Sequence, residues 1–421
     1  MQTNWEKIKK YYLENRLKCD CTILAILFFV NCFFEGFGYF ICLVIATMVI
    51  LEDRRNGFSI IVFCFPFVGI EGLMGLAYLL GDLTIFIIKH YVILYFIDKK
   101  KVNYITLSAL LIFIIYGLLP IGEYNVQVLI KILAVTYLFV LVNLFIRYGD
   151  IFNLKFNVNV MAIGLIISSA YFLTYFISPF VHNRLISTMG EDFIRFTAFF
   201  TNPNILAMVC EICLAFLTFY LLQDKFEWTD IIAYIIFAVV GLATFSKMFL
   251  VLFGIMFVIL LVYIIKRYKL KSLWGIVPLL LAIIFAFIFK GNFFLAYVSR
   301  FFGGWNSDMN GYEKFLDIAT TGRYKLWTTV LDYTISNPEV LFFGRGLGAP
   351  LIASMSAHNF YISMLYQLGI VGSLIFISLI VVLALAFKKE HSQVKVSKAI
   401  CVPVIIFALI MCAEDLFMYI Y

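Results

Sequence analysis

Residues 230–266 read DIIAYIIFAVVGLATFSKMFLVLFGIMFVILLVYIIK, with Asp230, Lys247 and Lys266 as the only charges. As one helix the run would be about 55 Å long, against a hydrocarbon core of about 30 Å. Its polar interruption, Thr244-Phe245-Ser246-Lys247, divides it into two spans with a turn at Lys247. Lys266, Arg267, Lys269 and Lys271 follow at once and mark the cytoplasmic side. An all-α polytopic membrane protein is therefore expected.

Composition agrees. The chain has 421 residues, 64% of them hydrophobic and 14% charged, which excludes a soluble globular protein. Upstream, residues 21–51 break at Glu35-Gly36 into two spans, and Glu52-Asp53-Arg54-Arg55 returns to the cytoplasm. Spans at 58–78 and 81–97 lead to Asp98-Lys99-Lys100-Lys101. Spans at 104–120 and 126–146 lead to Arg147 and Lys155. A seventh, 158–178, opens on an outer loop, 179–204, and an eighth, 205–222, returns to Lys225. Downstream, span eleven at 272–290 leads to the longest break in hydropathy, 291–358. Span twelve, 360–387, returns to Lys388 and Lys389, and 400–420 is the last.

The count is thirteen spans, or twelve if one hairpin is re-entrant. The expected division is 1–290 for helices one to eleven, 291–358 for a large extracytoplasmic loop with short helices, and 359–421 for the last two spans, all in one membrane domain. Lys7, Lys9, Lys10, Arg16 and Lys18 place the N-terminus in the cytoplasm. The first span is expected to act as an uncleaved signal. The net charge of +7 is largely topological, so no nucleic-acid partner is expected. The nine cysteines follow no metal or disulfide spacing. Lys89 and His90 fall mid-span and are expected to pair with Glu71 inside the bundle.

This topology gathers polar residues at the outer face. They are Arg195 with Asn202-Pro203-Asn204, the Ser246-Lys247 turn, Arg300, Arg323, Lys325, Arg345 and His358 of the large loop, and Glu414-Asp415 near the end of the chain. Ionisable groups at membrane depth are expensive, so they are functional candidates. Thr320 or Thr321 can N-cap a helix running to about Ser336 and stopped by Asn337-Pro338. Arg323 then occupies the first turn, with Trp327 one turn on, which suits phosphate. Gly344-Arg345-Gly346-Leu347-Gly348 can expose backbone N–H groups, although it lacks the strand and Lys-Ser/Thr of a nucleotide loop.

Local patterns resemble the bacterial O-antigen polymerase and O-antigen ligase superfamily. They are Arg195-Phe196-Thr197-Ala198-Phe199 with Asn202-Pro203-Asn204; Thr321-Gly322-Arg323 with Trp327, Asn337-Pro338 and Gly344-Arg345-Gly346; and His358-Asn359-Phe360-Tyr361 with Gly369-Ile370-Val371-Gly372. Ser246-Lys247 resembles the family's Ser-Arg/Lys pair between two spans. Ala198 departs from the pattern, which often has glycine there.

The resemblance implies a GT-C-like glycosyltransferase in the bacterial plasma membrane. It would act at the outer face on an undecaprenyl-diphosphate-linked glycan. Lipid diphosphate is a good leaving group, and its developing charge needs cations: Arg195 and Arg323, with Lys247, Arg300 and Arg345 as additional diphosphate contacts. His358 is the candidate base for the attacking sugar hydroxyl. Asn359, Glu414 and Asp415 are candidates for binding or orienting the acceptor. No Asp-x-Asp motif occurs, so a metal-independent inverting transfer without cofactor is expected. The expected function is O-antigen or capsular-type polysaccharide polymerisation. The alternatives are ligation of glycan to lipid A-core or another acceptor, and, in another class, lipid or polysaccharide transport. Expected partners are membrane lipids, lipid-linked glycans and, as candidates, a chain-length regulator and a flippase.

Overall fold

The computed structural model describes residues 11–31, 33–34, 37–67, 76–93, 104–119, 126–147, 153–171, 186–188, 194–200, 202–223, 227–268, 323–347, 349, 358–390 and 401–413. In chain order the helices are α1 (Arg16–Asn31), α2 (Phe37–Leu51), α3 (Arg54–Cys64), α4 (Leu76–Val92), α5 (Tyr104–Leu118), α6 (Val126–Arg147) and α7 (Leu154–Ala170). After the strands β1 (Ile186–Thr188) and β2 (Ile194–Phe196) come α8 (Pro203–Leu221), α9 (Trp228–Ala243) and α10 (Lys247–Tyr268). The remaining helices are α11 (Arg323–Ser336), α12 (Pro338–Phe343), α13 (Phe360–Glu390) and α14 (Cys401–Ala413).

Three segments, Pro203–Leu221, Lys247–Arg267 and Phe360–Lys389, are long and apolar enough to cross a membrane, and several shorter apolar helices accompany them. Outward faces carry large exposed apolar side chains, such as Leu43, Leu138, Val239 and Leu385. A soluble protein does not leave such surface in water, whereas a bilayer covers it. The chain is an α-helical membrane protein.

The run at 230–266 divides where its polar residues fall: α9 ends at Ala243 and α10 begins at Lys247. The first apolar run likewise divides into α1 and α2. The span expected at 58–78 is different. Helix α3 stops at Cys64, and Phe65–Phe67 form a 3-10 turn around Pro66, whose missing N–H cannot continue the ladder. Gly164 of α7 lies so close to this end that a Cβ there would stand 2.5 Å from the Phe63 carbonyl oxygen.

Charged side chains gather at one end of the bundle. Arg16 meets Glu52 at 2.5 Å, and Asn56 donates to Glu52 at 3.1 Å. Lys89 corrects the mid-span expectation. Its ammonium donates to the backbone carbonyls of Val49, at 3.2 Å, and Glu52, the last carbonyls of α2, so it serves as a C-terminal cap. Its expected partner Glu71 lies outside the described residues. His90 is buried edge-on against Phe86. Ser59 of α3 donates to Asn157 of α7 at 2.8 Å, and Lys155 bridges Asp230 at 2.8 Å and Glu227 at 3.2 Å. The starts of α1, α3, α7 and α9 therefore share this end. The other end of α9, at Thr244, lies across the bundle from it.

Candidate active site

Arg195 stands in β2, paired with Ser187 of β1 in a short antiparallel ribbon within what the sequence suggests is a plain loop. Its side chain is only 2% exposed. Its Nε donates to the Thr244 carbonyl at 2.8 Å, and its Nη2 donates to Asn204 Oδ1 at 2.7 Å. One guanidinium thus ties the ribbon to the start of α8 and to the α9–α10 turn. Asn202 N-caps α8, accepting from the Asn204 N–H at 2.8 Å, and Pro203 fills the first helical position. The cap fixes Asn204, and Asn204 fixes Arg195. A headgroup anchor would be exposed, and Arg195 is not.

Aromatic residues hold this segment against the N-terminal helices. Phe199 lies 5.9 Å from Tyr171 and 6.2 Å from Phe67, and Phe200 lies 5.7 Å from Phe65, ring centre to ring centre. The 3-10 turn at Pro66 is therefore the seat of the Arg195 segment. Between β2 and these rings, Ala198 has φ 46° and is wholly buried. That left-handed conformation is one that glycine adopts without strain.

The α9–α10 turn is built in a similar way. Phe245 has φ 52°, and the Ser246 carbonyl accepts the first α10 bond from Leu250 at 3.2 Å. Lys247 is the first residue of α10, at the positive end of the helix dipole. Such an end favours an anion more than a cation, so a diphosphate would relieve the local charge.

The third group forms around α11–α13. Helix α11 begins at Arg323 and ends at Ser336, and Asn337-Pro338 start α12. Val330 and Tyr366 form a small buried cluster, with Leu326, Tyr333, Val340 and Ile362 packed on it. Leu326, one turn into α11, and Ile362, in the first turn of α13, bring the starts of these two helices to the same cluster. His358 has φ 47° and leads into α13. Asn359 caps that helix: its Oδ1 accepts from the N–H groups of Tyr361 and Ile362, both at 3.1 Å. The Tyr361 hydroxyl reaches the Ala408 carbonyl of α14 at 3.2 Å, which brings the last helix beside this start.

Helix α13 is not the single span expected from 360. At Gly369 the backbone turns to φ 64°, ψ −172°. The part beyond Gly369 is about 30 Å long, itself enough for a bilayer. His358 therefore heads a short helix that precedes the span. Gly344, at the end of α12, has φ 77°, ψ 172°, the same unusual region. A Cβ on Gly369 would lie 2.4 Å from the Gly344 nitrogen, and one on Gly344 2.3 Å from the Gln367 oxygen. The Gly-Arg-Gly and Gly-x-x-Gly motifs thus meet main chain to main chain.

This contact also corrects the expectation of exposed N–H groups. Gly344 donates to Val340 at 2.8 Å, Arg345 to Tyr366 at 2.8 Å, and Gly346 to Gln367 at 3.0 Å. The Arg345 guanidinium donates to the Tyr333 hydroxyl and lies 5.9 Å from that ring's centre, on the surface. Arg300, Glu414 and Asp415 lie outside the described residues.

Sequence reasoning missed Tyr116 and Lys131. The Tyr116 hydroxyl is within 2.8 Å of the Phe343 carbonyl and 2.7 Å of the Leu368 carbonyl, on either side of the glycine contact. Lys131, 2% exposed, donates to Gln367 Oε1 at 3.5 Å. A lysine inside an apolar helix is a signal in itself.

These features define a helical membrane protein whose cationic and histidine-bearing segments are held at strained turns and a broken helix. Residues 232–377 match the family model described as O-antigen ligase. The matched stretch contains Lys247, Arg323, Arg345, His358 and Asn359, whereas Arg195 lies before it. No curated protein and no solved structure matches the chain.

Proposed function

We propose that the protein is an O-antigen or capsular-type polysaccharide polymerase. It transfers an undecaprenyl-diphosphate-linked glycan onto a lipid-linked repeat unit at the outer face of the plasma membrane, by a metal-independent inverting reaction. The observation that carries this reading is the placement of strain. Among the described residues, the only non-glycine residues with positive φ are Ala198, Phe245 and His358. They fall one each in the segments bearing Arg195, Lys247 and the candidate base. Strained backbone persists where surrounding structure holds it, and it gathers at working sites.

In the proposed reaction the sugar hydroxyl gives its proton to His358 and attacks the anomeric carbon. The bond to the diphosphate breaks, and the charge that develops on it is held by Arg323 and Arg195, with Lys247 adding to the field. Asn359 fixes the start of the short helix that carries His358. A broken helix is also what transporters place at an ion site. Here the carbonyls at the break accept from Arg345, Gly346 and Tyr116, so they are already in use, which favours the enzyme.

His358→Ala and Arg323→Ala should each abolish polymer in cells while single lipid-linked units remain. Normal polymer lengths in both would overturn the site. Polymer that is made but not passed to its final acceptor would identify a ligase instead.

A further inference from the structure

We infer that Tyr116 and Lys131 are positioning residues that hold the short helix carrying His358 from its far end; this rests on the reading of His358 as the base. The helix from Phe360 to Gly369 has two ends to satisfy. Asn359 caps the first. At the second, the last carbonyls have no following turn, because Gly369 leaves the helical conformation. Donors from elsewhere replace it: Arg345 N–H on Tyr366, Gly346 N–H on Gln367, and the Tyr116 hydroxyl on Leu368.

Lys131 adds a charge to the same end. It sits in the second turn of α6, and its ammonium reaches the side chain of Gln367, which is also 2% exposed. A cation at a helix C-terminus is stabilised by the dipole, most strongly where water is excluded. Phe113 and Phe360 pack in one apolar cluster with Ile132 and Leu368, so α5, α6 and the short helix share one core. Two residues from the N-terminal half, outside the family-matched stretch, thus set the distance between His358 and the rest of the site. Neither reaches the reacting atoms. Loss of either should lower turnover without changing how donor binds.

The test uses purified full-length protein with a lipid-linked repeat unit as substrate. Tyr116→Phe removes one hydroxyl and keeps the ring that packs against Gly372. Lys131→Met and Gln367→Met remove the buried pair singly and together. Tyr116→Phe and Lys131→Met should each reduce kcat about tenfold with donor KM unchanged. The double variant Lys131→Met/Gln367→Met should lose less than the two single losses combined, the non-additivity expected of residues in contact. Wild-type kcat in Tyr116→Phe and Lys131→Met, or additive losses in the double variant, would overturn the inference. A rise in donor KM at unchanged kcat would do so too, by making Lys131 a substrate contact. His358→Ala, assayed beside them, separates the two ideas: if it stays active, the reading of the base fails first.

Discussion

Ala198 and Gly369 occupy positive φ with opposite tolerance. At Ala198 a methyl group is held in the left-handed region at a cost of about 1–2 kcal/mol. Replacing it by glycine relieves that strain, loses about 0.8 kcal/mol of buried methyl, and adds about 0.5–1 kcal/mol of chain entropy. Ala198→Gly should therefore shift stability by less than about 1 kcal/mol and leave polymer formation intact. At Gly369 both φ and ψ lie where only glycine fits, and the new Cβ would collide with the Gly344 nitrogen. Backbone strain of about 1–3 kcal/mol and overpacking of about 1–3 kcal/mol add there. Gly369→Ala should lose about 2–6 kcal/mol and lower the melting temperature in detergent well beyond Ala198→Gly. Equal melting temperatures for the two would show that the contact between the glycines carries no weight.

At the level of elements, α8 connects its own cap to the candidate site. Asn202 orders Asn204, and Asn204 accepts from Arg195. Asn202→Ala should cost about 1 kcal/mol as a lost N-cap and reduce activity by loosening Arg195. Asn202→Asp keeps an acceptor at the same place, and its charge suits the helix start, so it should restore both. Melting and activity measured on the two variants check this; full activity in the alanine variant would disconnect the cap from the site.

The elements also show what a sequence reveals. The division between α1 and α2 and the break at Thr244–Lys247 are legible because each apolar run exceeds what a bilayer holds. The end of α11 is legible from Asn337-Pro338, whereas its expected capping residues, Thr320 and Thr321, lie outside the described residues. The break at Gly369 is not legible, since residues 360–387 have the length and composition of one span. Its cause is the main chain of Gly344, distant in sequence. Lys89 was read as mid-span because the ends of α2 and α4 cannot be aligned without their packing. Arg195, Lys247 and His358 were visible as isolated polar residues, but the link from Arg195 to Thr244 and Asn204 is tertiary.

Across the whole molecule, the two ends of the bundle differ in chemistry. One carries the Arg16–Glu52 and Lys155–Asp230 pairs, and the other carries Arg195, Thr244 and the start of α10. The positive-inside rule leads to the expectation that the basic end faces the cytoplasm and that residues 305–318 face outward. A reporter inserted there should be active only if exported. Cytoplasmic reporter activity at that position would invert the assignment and remove Arg195 from reach of an external lipid-linked glycan.

The contact between Gly344 and Gly369 also bears on how such a chain can diverge. It is main chain against main chain and asks for glycine at two positions, Gly344 and Gly369, one on each side of residues 348–357. A recombination event falling within 348–357 leaves each glycine with its own helix. A hybrid joined there keeps both glycines, and with them the seat of the helix that carries His358.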